Sequence, residues 1–384
     1  MSFSLTEEQN MIQSMARDFS REVVLPGAAE RDRSGEFPRD ILDQMFELGF
    51  MGMMVPPEYG GSGVDTVSYV LALTEIAYSC ASTAVVMSVH NSICCESILH
   101  FGSPEQKQHW LPRMCTQGCI GAFALTEPHA GSDPASQRMH AVRDGEHWVL
   151  NGTKQFITTG KNCGVVIVTA VTDRSKRHRG ISAFLVPQGT PGLSVGKEEK
   201  KLGLKASDTV QLIFEDCRVP ADAILGKPGE GFKIAMTALD CGRIGIAAQS
   251  VGVARACMDE SISYMHDRQA FGRPISDFQG LRWKISDMAV EIEAARLLCL
   301  NAAHLKDQGR RYTREASMAK LYASEMVNRV AGQAIQIHGG YGYCSEYPME
   351  RHYRDARVFT IYEGTGEIQR LVISNNILGP SGLR

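Results

Sequence analysis

The chain has 384 residues, of which 43% are hydrophobic and 22% are charged, and its formal net charge at pH 7 is −3. A chain of this length can form two or three packed domains, and its small net charge gives no reason to expect nucleic acid or an anionic membrane as a partner. No apolar segment approaches the roughly 18–20 residues that cross a bilayer, so we expect no membrane partner.

The first third of the chain is predicted to be helical. Its start, "MSFSLTEEQNMIQ", lacks the basic and apolar regions of a signal peptide, and we therefore predict a cytoplasmic protein, with the mature form of an organellar protein as the alternative. Thr6 to Gln9 form a capping-box pattern, and Ser103-Pro104-Glu105-Gln106 is a second helix start. "FPRDILDQMFELGF" (37–50) begins another helix, and residues 65–101 have few charges and predict buried helices.

The residue pattern changes near residue 120, where short runs of β-branched residues are separated by turn residues. The runs are "CIGAFALTEP", "EHWVLNGTKQFIT", "GVVIVTAV" (164–171), "GISAFLVP" (180–187) and "DTVQLIFEDCRVP". Because no amphipathic helix separates them, they predict an antiparallel sheet or barrel rather than alternating strands and helices.

The last third is helical again. Apolar residues recur at i, i+3, i+4 and i+7 through 285–299 and 319–337, as in an up-and-down helix bundle. The sequence therefore predicts an α+β multidomain fold. The expected domains are an N-terminal helical domain (1–120), a middle β domain (121–228) and a C-terminal four-helix-bundle domain (229–384).

The chain has 11 cysteines, and none of them forms a CxxC pair with metal-ligand spacing. Most lie inside apolar helical runs, as Cys257 and Cys299 do. We therefore predict buried free thiols and expect no metal site.

Glycine-rich and threonine-rich stretches are the candidate cofactor-binding or catalytic segments. They are "LTEPHAGSDP" (125–134), "NGTKQFITTG" (151–160) and "QIHGGYGY" (336–343), and none is a dinucleotide-binding or phosphate-binding loop of a known pattern. A fourth stretch, "TIYEGTGEIQR" (360–370), places Glu363 beside Gly364 and Gly366. Exposed backbone N–H groups together with a carboxylate next to small residues suggest a planar or phosphorylated cofactor.

These stretches, with "DRQAFGRPI" (267–275) and "QIHGGYGYCSEYPMERHYRDAR" (336–357), resemble the acyl-CoA dehydrogenases in order and spacing over essentially the whole chain. "LIFEDCRVP", "GFKIAM" and "LDCGRIGIA" resemble the short-chain, butyryl-type branch most closely. The resemblance implies FAD as cofactor, an acyl-CoA substrate, and an electron-transferring flavoprotein as electron acceptor. It also implies a homotetramer built as a dimer of dimers, with a role in fatty acid or carboxylic acid degradation.

The resemblance makes Glu363 the catalytic base that removes the α-proton of the thioester while the flavin accepts the β-hydride. A dry pocket would raise the pKa of this carboxyl group and strengthen it as a base. Some relatives carry the base on another helix, and the matching position here is Gly242, which cannot accept a proton. An exposed turn residue is the competing interpretation of Glu363.

Further roles carry over by position. The predicted cofactor-binding residues are Phe123, Leu125, Thr126, Ser132, Phe156, Ile157, Thr158, Arg268, Phe271, Gln279, Gln336, Gly339, Gly340, Thr365 and Glu367. The predicted substrate-binding residues are Ser132, Asp240, Arg243, Tyr362 and Gly364. A place in the sheet core is the alternative for Phe156, and His338 is expected to be a satisfied, partly buried histidine rather than a catalyst.

Several functions stay open on the sequence alone. The same chemistry could act on a branched or alicyclic acyl-CoA (isobutyryl, 2-methylbutyryl or cyclohexanecarboxyl), in a pocket lined by residues around Met87 to Cys95, including Val89, Asn91, Ile93 and Cys94. The protein could also be an acyl-CoA oxidase, an enoyl-CoA reductase in the cell, or a non-catalytic protein on the same fold.

Overall fold

The computed structural model describes residues 4–379. Its first third is helical, as predicted, and comprises α1 (Glu7–Phe19), α2 (Ala28–Ser34), α3 (Arg39–Glu47), α4 (Thr66–Ser79), α5 (Ala81–Ser88), α6 (Glu96–Phe101) and α7 (Pro104–Thr116). Both predicted capping boxes are present, at Thr6 with Gln9 and at Ser103 with Gln106. Each box satisfies backbone N–H groups that the helix itself leaves unpaired.

The segment 65–101 forms buried helices, which confirms the prediction. Every residue of α5 is buried, and so is the π-helical segment Val89–Cys95 that follows it. A helix that is apolar all round must be surrounded by protein, and α4 packs against both α1 and the long helix of the last third.

The middle of the chain forms a sheet with β1 (Gly121–Ala124), β2 (His140–Asp144), β3 (His147–Thr158), β4 (Val165–Val171), β5 (Ile181–Pro187), β6 (Leu193–Glu198), β7 (Thr209–Pro220) and β8 (Ile224–Leu225). Within residues 4–379 this is an eight-stranded sheet in the order β6-β7-β3-β2-β4-β5-β8, with β1 also paired to β4. One face of the sheet has its own core around Leu150, Phe184 and Phe214.

The sheet is mixed rather than purely antiparallel, because β1 and β2 both run parallel to β4. The sequence prediction rested on the absence of amphipathic helices between the strands, because parallel strands need a long crossover connection. Strand β1 is instead followed by the long loop 125–139, so it does not form a hairpin with β2 and lies alongside β4.

The last third contains α8 (Gly231–Asp267), the short strands β9 (Gln269–Ala270) and β10 (Arg273–Pro274), α9 (Gln279–Asp307), α10 (Thr313–His338), α11 (Met349–Ala356) and α12 (Gly366–Leu378). Helices α8, α9 and α10 pack on one another, and α12 packs on α10, which gives the predicted bundle. The bundle and the N-terminal helices share one hydrophobic core.

The sheet is fixed to the bundle by a buried carboxylate. Leu204 N, in the loop before β7, donates to Oδ1 of Asp355 at 2.6 Å, while Arg354 pairs with Asp32 of α2 at 2.6 Å. These contacts join residues from all three parts of the chain. Of the 11 cysteines, 9 are buried, as predicted, and Cys344 is exposed. No helix within residues 4–379 has the length and apolar character needed to cross a bilayer.

Candidate active site

Glu363 lies in the turn that precedes α12. Its φ is +52° and that of Gly364 is +96°, so two consecutive residues are in left-handed conformations. Thr365 then caps α12 by accepting a hydrogen bond from Ile368 N at 3.4 Å. A left-handed glutamate is strained, and such strain is typical of functional sites where surrounding contacts hold it.

The carboxylate of Glu363 is shielded from solvent. The residue as a whole is half-buried, but Oε1 and Oε2 are both buried and have no hydrogen-bond partner within residues 4–379. Burial raises the pKa of Glu363 to about 7, and the nearby cations Lys320 and Arg243 oppose that rise. The carboxyl group is therefore not the exposed turn residue of the competing interpretation.

Gly242 of α8 lies against this carboxylate. A β-carbon at this position would overlap Oε2 of Glu363 and would lie 3.1 Å from Cδ1 of Ile93. The absence of a side chain therefore makes room for the carboxylate.

Asp240 and Arg243, predicted to bind substrate, form a buried ion pair one helical turn from each other on α8. Arg243 Nη1 donates to Oδ1 of Asp240 at 2.6 Å, and Thr313 Oγ1 donates to Oδ2 of Asp240 at 2.6 Å. Arg243 Nε is buried without a partner within residues 4–379. Of the two, Arg243 is among the charges that lower the pKa of Glu363.

Tyr362, also predicted to bind substrate, is engaged with the protein. Its hydroxyl donates to Oε1 of Gln249 at 2.7 Å, and Nε2 of Gln249 donates to the Ala81 carbonyl at 2.8 Å. Its ring stacks on Phe359 with centroids 5.8 Å apart. Its side chain therefore anchors the turn to α8 and α5.

Lys320 and Gln369 hold the same turn from within the protein, and sequence reasoning missed both. Lys320 Nζ donates to the Gly364 carbonyl at 2.6 Å, and Gln369 Nε2 donates to the Gly364 and Glu363 carbonyls at 3.0 and 3.2 Å. Both side chains are 0% exposed. A signal existed for Lys320, because it falls on the apolar stripe of α10 that runs through Ala316 and Ala323.

The predicted flavin segment 156–158 sits at an irregularity in β3. The register of β3 against β7 shifts between Lys154 and Ile157, and Phe156 has a φ of +58°. Phe156 is 60% exposed, so the alternative that placed it in the sheet core is wrong. Ile157 is the core residue here, and Thr158 is half-buried.

A buried network shapes the loop after β1. Lys154 Nζ donates to Oε1 of Glu127 at 2.9 Å and to the Leu125 carbonyl at 2.9 Å. The Glu127 carboxylate also accepts from Arg138 N at 2.7 Å and Met139 N at 3.1 Å. This network, which sequence reasoning also missed, fixes the loop that carries the other predicted flavin residues of this region.

Those residues have different exposures. Phe123, Leu125 and Thr126 are half-buried, and Ser132 is exposed. The Thr126 carbonyl accepts a hydrogen bond from Gln155 N at 2.8 Å, which ties the loop to β3 next to Phe156. This hydrogen bond places Thr126 beside the part of β3 that carries Phe156.

A second group of predicted residues lines an open groove of about 600 Å³ at the end of α10. Its lining includes Arg268, Gln336, Gly339 and Gly340. The Arg268 guanidinium lies 5.6 Å from the centre of the Tyr341 ring. A β-carbon at either glycine would meet no atom of residues 4–379 within 4 Å, so the backbone is open to a ligand.

His338 lies in the wall of this groove. It stacks on Tyr264 with ring centroids 4.3 Å apart, and its Nδ1 is 2.8 Å from the Ala334 carbonyl. Its Nε2 is buried and has no partner within residues 4–379, so the expectation of a satisfied, partly buried histidine holds for only one of the two ring nitrogens. The groove thus presents the Arg268 guanidinium, and an unpaired imidazole nitrogen is buried in its wall.

Phe271 and Gln279 are not in that lining. Phe271 is 94% exposed with a φ of +53°, and Gln279 is exposed at the start of α9. Glu367 is also exposed, in the first turn of α12. Among the residues that the structure describes, Phe271, Gln279 and Glu367 therefore lie outside the groove at the end of α10.

These residues fit FAD. The molecule combines a flat ring system with a pyrophosphate, and the chain offers an exposed aromatic ring at Phe156, a guanidinium at Arg268 and an unpaired His338 Nε2. The two unpaired oxygens of Glu363 are suited to a substrate C–H group, which offers no strong hydrogen bond.

Three family models match nearly the whole chain. They are the acyl-CoA dehydrogenase N-terminal domain (residues 6–118), middle domain (122–217) and C-terminal domain (229–378). The chain belongs to the acyl-CoA dehydrogenase family. Members of this family are FAD-dependent oxidoreductases, so this chain is an FAD-dependent enzyme.

Two curated relatives illustrate the similarity. The short-chain specific acyl-CoA dehydrogenase of mouse mitochondria is 50% identical over 377 residues, covering 98% of this chain and 92% of that protein. The acryloyl-CoA reductase (NADH) of Anaerotignum propionicum is 47% identical over 380 residues, covering 98% of this chain and 96% of that protein.

Two solved structures share the fold closely. Butyryl-CoA dehydrogenase from Megasphaera elsdenii has a TM-score of 0.97 at 42% identity, with 98% of this chain and 100% of that chain covered. A chain of a structure described as the electron transferring flavoprotein of Acidaminococcus fermentans, in a study of flavin-based electron bifurcation, has a TM-score of 0.97 at 46% identity with the same coverage. The three-part acyl-CoA dehydrogenase fold predicted from the sequence is thereby confirmed.

Proposed function

We propose that this acyl-CoA dehydrogenase oxidises a short-chain acyl-CoA at its Cα–Cβ bond, giving the trans-2-enoyl-CoA, with Glu363 as the base. The observation that carries the proposal is the Glu363 carboxylate, which is buried and unpaired and has a pKa raised to about 7. The short-chain preference is supported by the mouse and Megasphaera relatives.

Glu363 is proposed to act in two ways, through its carboxylate and through its backbone N–H group. The α-proton of a thioester is a very weak acid, and a carboxylate freed from water is a stronger base than an exposed one. Glu363 takes this proton on its carboxylate, in the space that Gly242 leaves open. The backbone N–H of Glu363 donates to the thioester oxygen as negative charge develops there. FAD, when bound, supplies the acceptor for the β-hydride.

The remaining predicted residues are proposed to bind and orient the flavin and the substrate. Those proposed to flank the flavin ring or line its entrance are Phe123, Leu125, Thr126, Ser132, Phe156, Ile157, Thr158, Thr365 and Glu367. Because its side chain is in the sheet core, Ile157 contributes its main chain. Ser132, Asp240, Arg243, Tyr362 and Gly364 are proposed to border the substrate, with Tyr362 acting through the turn that it anchors.

Six residues are proposed to hold the FAD of a neighbouring subunit in a homotetramer. Four of them line the groove (Arg268, Gln336, Gly339 and Gly340), and Phe271 and Gln279 lie outside it. The groove lies at the end of α10, whereas Glu363 lies beside Lys320, and these two points on the helix are roughly 27 Å apart. We therefore propose that the FAD in the groove and the FAD beside Glu363 are two different molecules. Light scattering of the purified enzyme tests the assembly, with a mass near four times the 42.1 kDa chain as the expected result.

An electron-transferring flavoprotein is the proposed electron acceptor, and the Acidaminococcus structure supports this partner. The reverse direction, reduction of an enoyl-CoA, is a second candidate because a 47% identical relative is named a reductase. Turnover with NADH and acryloyl-CoA favours the second candidate over the first. The cytoplasmic location stays a prediction.

The substrate is tested by anaerobic mixing of the FAD-loaded enzyme with a panel of thioesters while flavin absorbance is recorded. The panel contains butyryl-, isobutyryl-, 2-methylbutyryl- and cyclohexanecarboxyl-CoA. Fastest bleaching by butyryl-CoA is expected, and fastest bleaching by a branched or cyclic thioester would overturn the short-chain assignment. Rapid peroxide formation in air without an added acceptor would indicate an oxidase, and a purified protein without flavin would indicate a non-catalytic relative.

A further inference from the structure

Lys320 occupies an unusual position for a lysine. It lies on the core-facing stripe of α10 with Ala316, Ala323 and Val327, and its side chain is 0% exposed. Lysine is almost never fully buried unless something compensates for the lost hydration of its charge. The burial of the Lys320 ammonium group therefore needs an explanation, which its contacts supply.

The ammonium contacts the turn that carries Glu363. Nζ donates to the Gly364 carbonyl at 2.6 Å, on the residue that follows the glutamate. The Glu363 oxygens themselves have no hydrogen-bond partner within residues 4–379, so Lys320 does not bond to them directly. Its charge acts on the carboxylate across the turn and leaves both oxygens free for a proton.

Holding the turn does not by itself require a charge. Gln369 Nε2 donates to the same Gly364 carbonyl at 3.0 Å and to the Glu363 carbonyl at 3.2 Å. A neutral amide thus already supports the left-handed pair of residues. The costly burial of an ammonium beside it points to a second effect of Lys320, on the charge of the neighbouring carboxylate.

We propose that Lys320 is a positioning residue that fixes the Glu363 turn through the Gly364 carbonyl and whose positive charge favours the ionised form of the Glu363 carboxylate. This inference rests on the proposed role of Glu363 as the base. It adds that ionisation of the base depends on a cation of α10 that donates to the carbonyl of the next residue, Gly364.

The charges around the two groups agree with this assignment. Lys320 and then Arg243 lower the pKa of Glu363 against the effect of burial, while Tyr69, Cys241 and Tyr362 face Glu363 as neutral groups with pKa values raised mainly by their own burial. Around Lys320 stand Glu363, Arg243 and, further out, the acids Glu367 and Glu325.

The direction of the effect follows from the sign of the charge. Burial lowers the pKa of Lys320 to about 8, and Glu363 opposes that fall. Lys320 is therefore cationic at the pH where Glu363 loses its proton, near 7. Removing the cation moves the titration of Glu363 to higher pH, because an ionised carboxylate is then less stable.

The test is a titration of the Glu363 carboxyl group in the FAD-loaded enzyme, without substrate, by infrared difference spectroscopy. The carbonyl band of the protonated acid is identified by its loss in Glu363→Gln. Lys320→Met removes the cation, and Gln369→Leu is the matched control because it removes a neutral donor from the same carbonyl. Lys320→Arg restores a charge.

Lys320→Met is expected to raise the titration midpoint by about 1 pH unit or more, and Gln369→Leu and Lys320→Arg are expected to keep it near the wild-type value. A midpoint unchanged in Lys320→Met, or raised equally by Gln369→Leu, would overturn the inference and leave Lys320 as a structural support. Lys320→Gln replaces the Met variant, with the same expectation, if that variant does not retain flavin.

The two proposals fail in different ways. If wild-type enzyme does not bleach with any acyl-CoA, the proposed function fails, whatever the infrared midpoint. If the flavin of the wild-type enzyme bleaches but the titration midpoint of Glu363 is unchanged in Lys320→Met, only this inference fails.

Discussion

Gly242 on α8 and Glu363 in the turn before α12 are in direct contact, and a β-carbon on Gly242 would overlap Oε2 of the carboxylate. The two residues are far apart in sequence and meet only because α8 and α12 flank the same helix, α10. The glycine thus determines where the carboxylate can lie, in addition to lacking any group that could compete as a base.

Gly242→Ala is therefore expected to slow flavin reduction by about 10-fold or more, because a displacement of a reacting group by about 1 Å can cost as much as 10²-fold. The measurement is the anaerobic rate of flavin reduction by butyryl-CoA, with FAD content recorded alongside. Gly332→Ala on α10 is the control, since its β-carbon would meet only Tyr353 Cε2 at 3.7 Å. An unimpaired rate in Gly242→Ala would show that the contact does not constrain the base.

The pH dependence of flavin reduction should follow the ionisation of Glu363. Burial raises the pKa of this group to about 7, and only the ionised carboxylate accepts a proton. The substrate-dependent rate at low acyl-CoA concentration is thus expected to rise with pH and to reach half its maximum near pH 7. A flat profile from pH 5 to 8 would contradict a buried base.

The same raised pKa makes a prediction about stability. The pKa of this carboxyl group is higher in the folded state than its ordinary 4.5, so the folded protein binds the proton more tightly than the unfolded chain. The free energy of unfolding therefore falls as pH rises from 4.5 to about 7. Glu363→Gln is therefore expected to increase the free energy of unfolding at pH 8 by about 1–3 kcal/mol and to change it little near pH 4.5. Chemical denaturation of the FAD-loaded enzyme at both pH values measures this, and a less stable variant at pH 8 would contradict it.

The buried pair of Lys154 and Glu127 should be essential for the flavin loop. Lys154→Met leaves the Glu127 carboxylate buried without its cation, which typically costs about 3–5 kcal/mol, and we expect faster release of FAD as well. Lys161→Met is the control in the same sheet domain, because its ion pair with Glu198 is half-exposed and worth at most about 1 kcal/mol. Similar losses in the two variants would argue against a special role for the buried network.

Local features of the fold were predictable because they depend on neighbouring residues. The capping boxes at Thr6 and Ser103 and the buried helices of 65–101 follow from short patterns and are present in the structure. The parallel pairing of β1 with β4 was missed because it joins segments that are distant in sequence. No local pattern specifies such a pairing.

The candidate site shows the same division. Motif resemblance pointed to Glu363 and to the absence of a side chain at Gly242, and the structure places them in contact. It did not point to Lys320, since a lone lysine among alanines gives no indication of its partner until α10 and the turn are placed together. Phe156 was left between a place beside the flavin and a place in the sheet core, and its 60% exposure at the register shift in β3 excludes the core.

The central claim, that Glu363 is the base, is tested most directly by stopped-flow mixing of the FAD-loaded Glu363→Gln variant with butyryl-CoA under anaerobic conditions. The amide keeps the size of the side chain but cannot take up the proton, so flavin bleaching is expected to slow by about 10²–10⁴-fold while FAD stays bound. Bleaching at the wild-type rate would contradict the account.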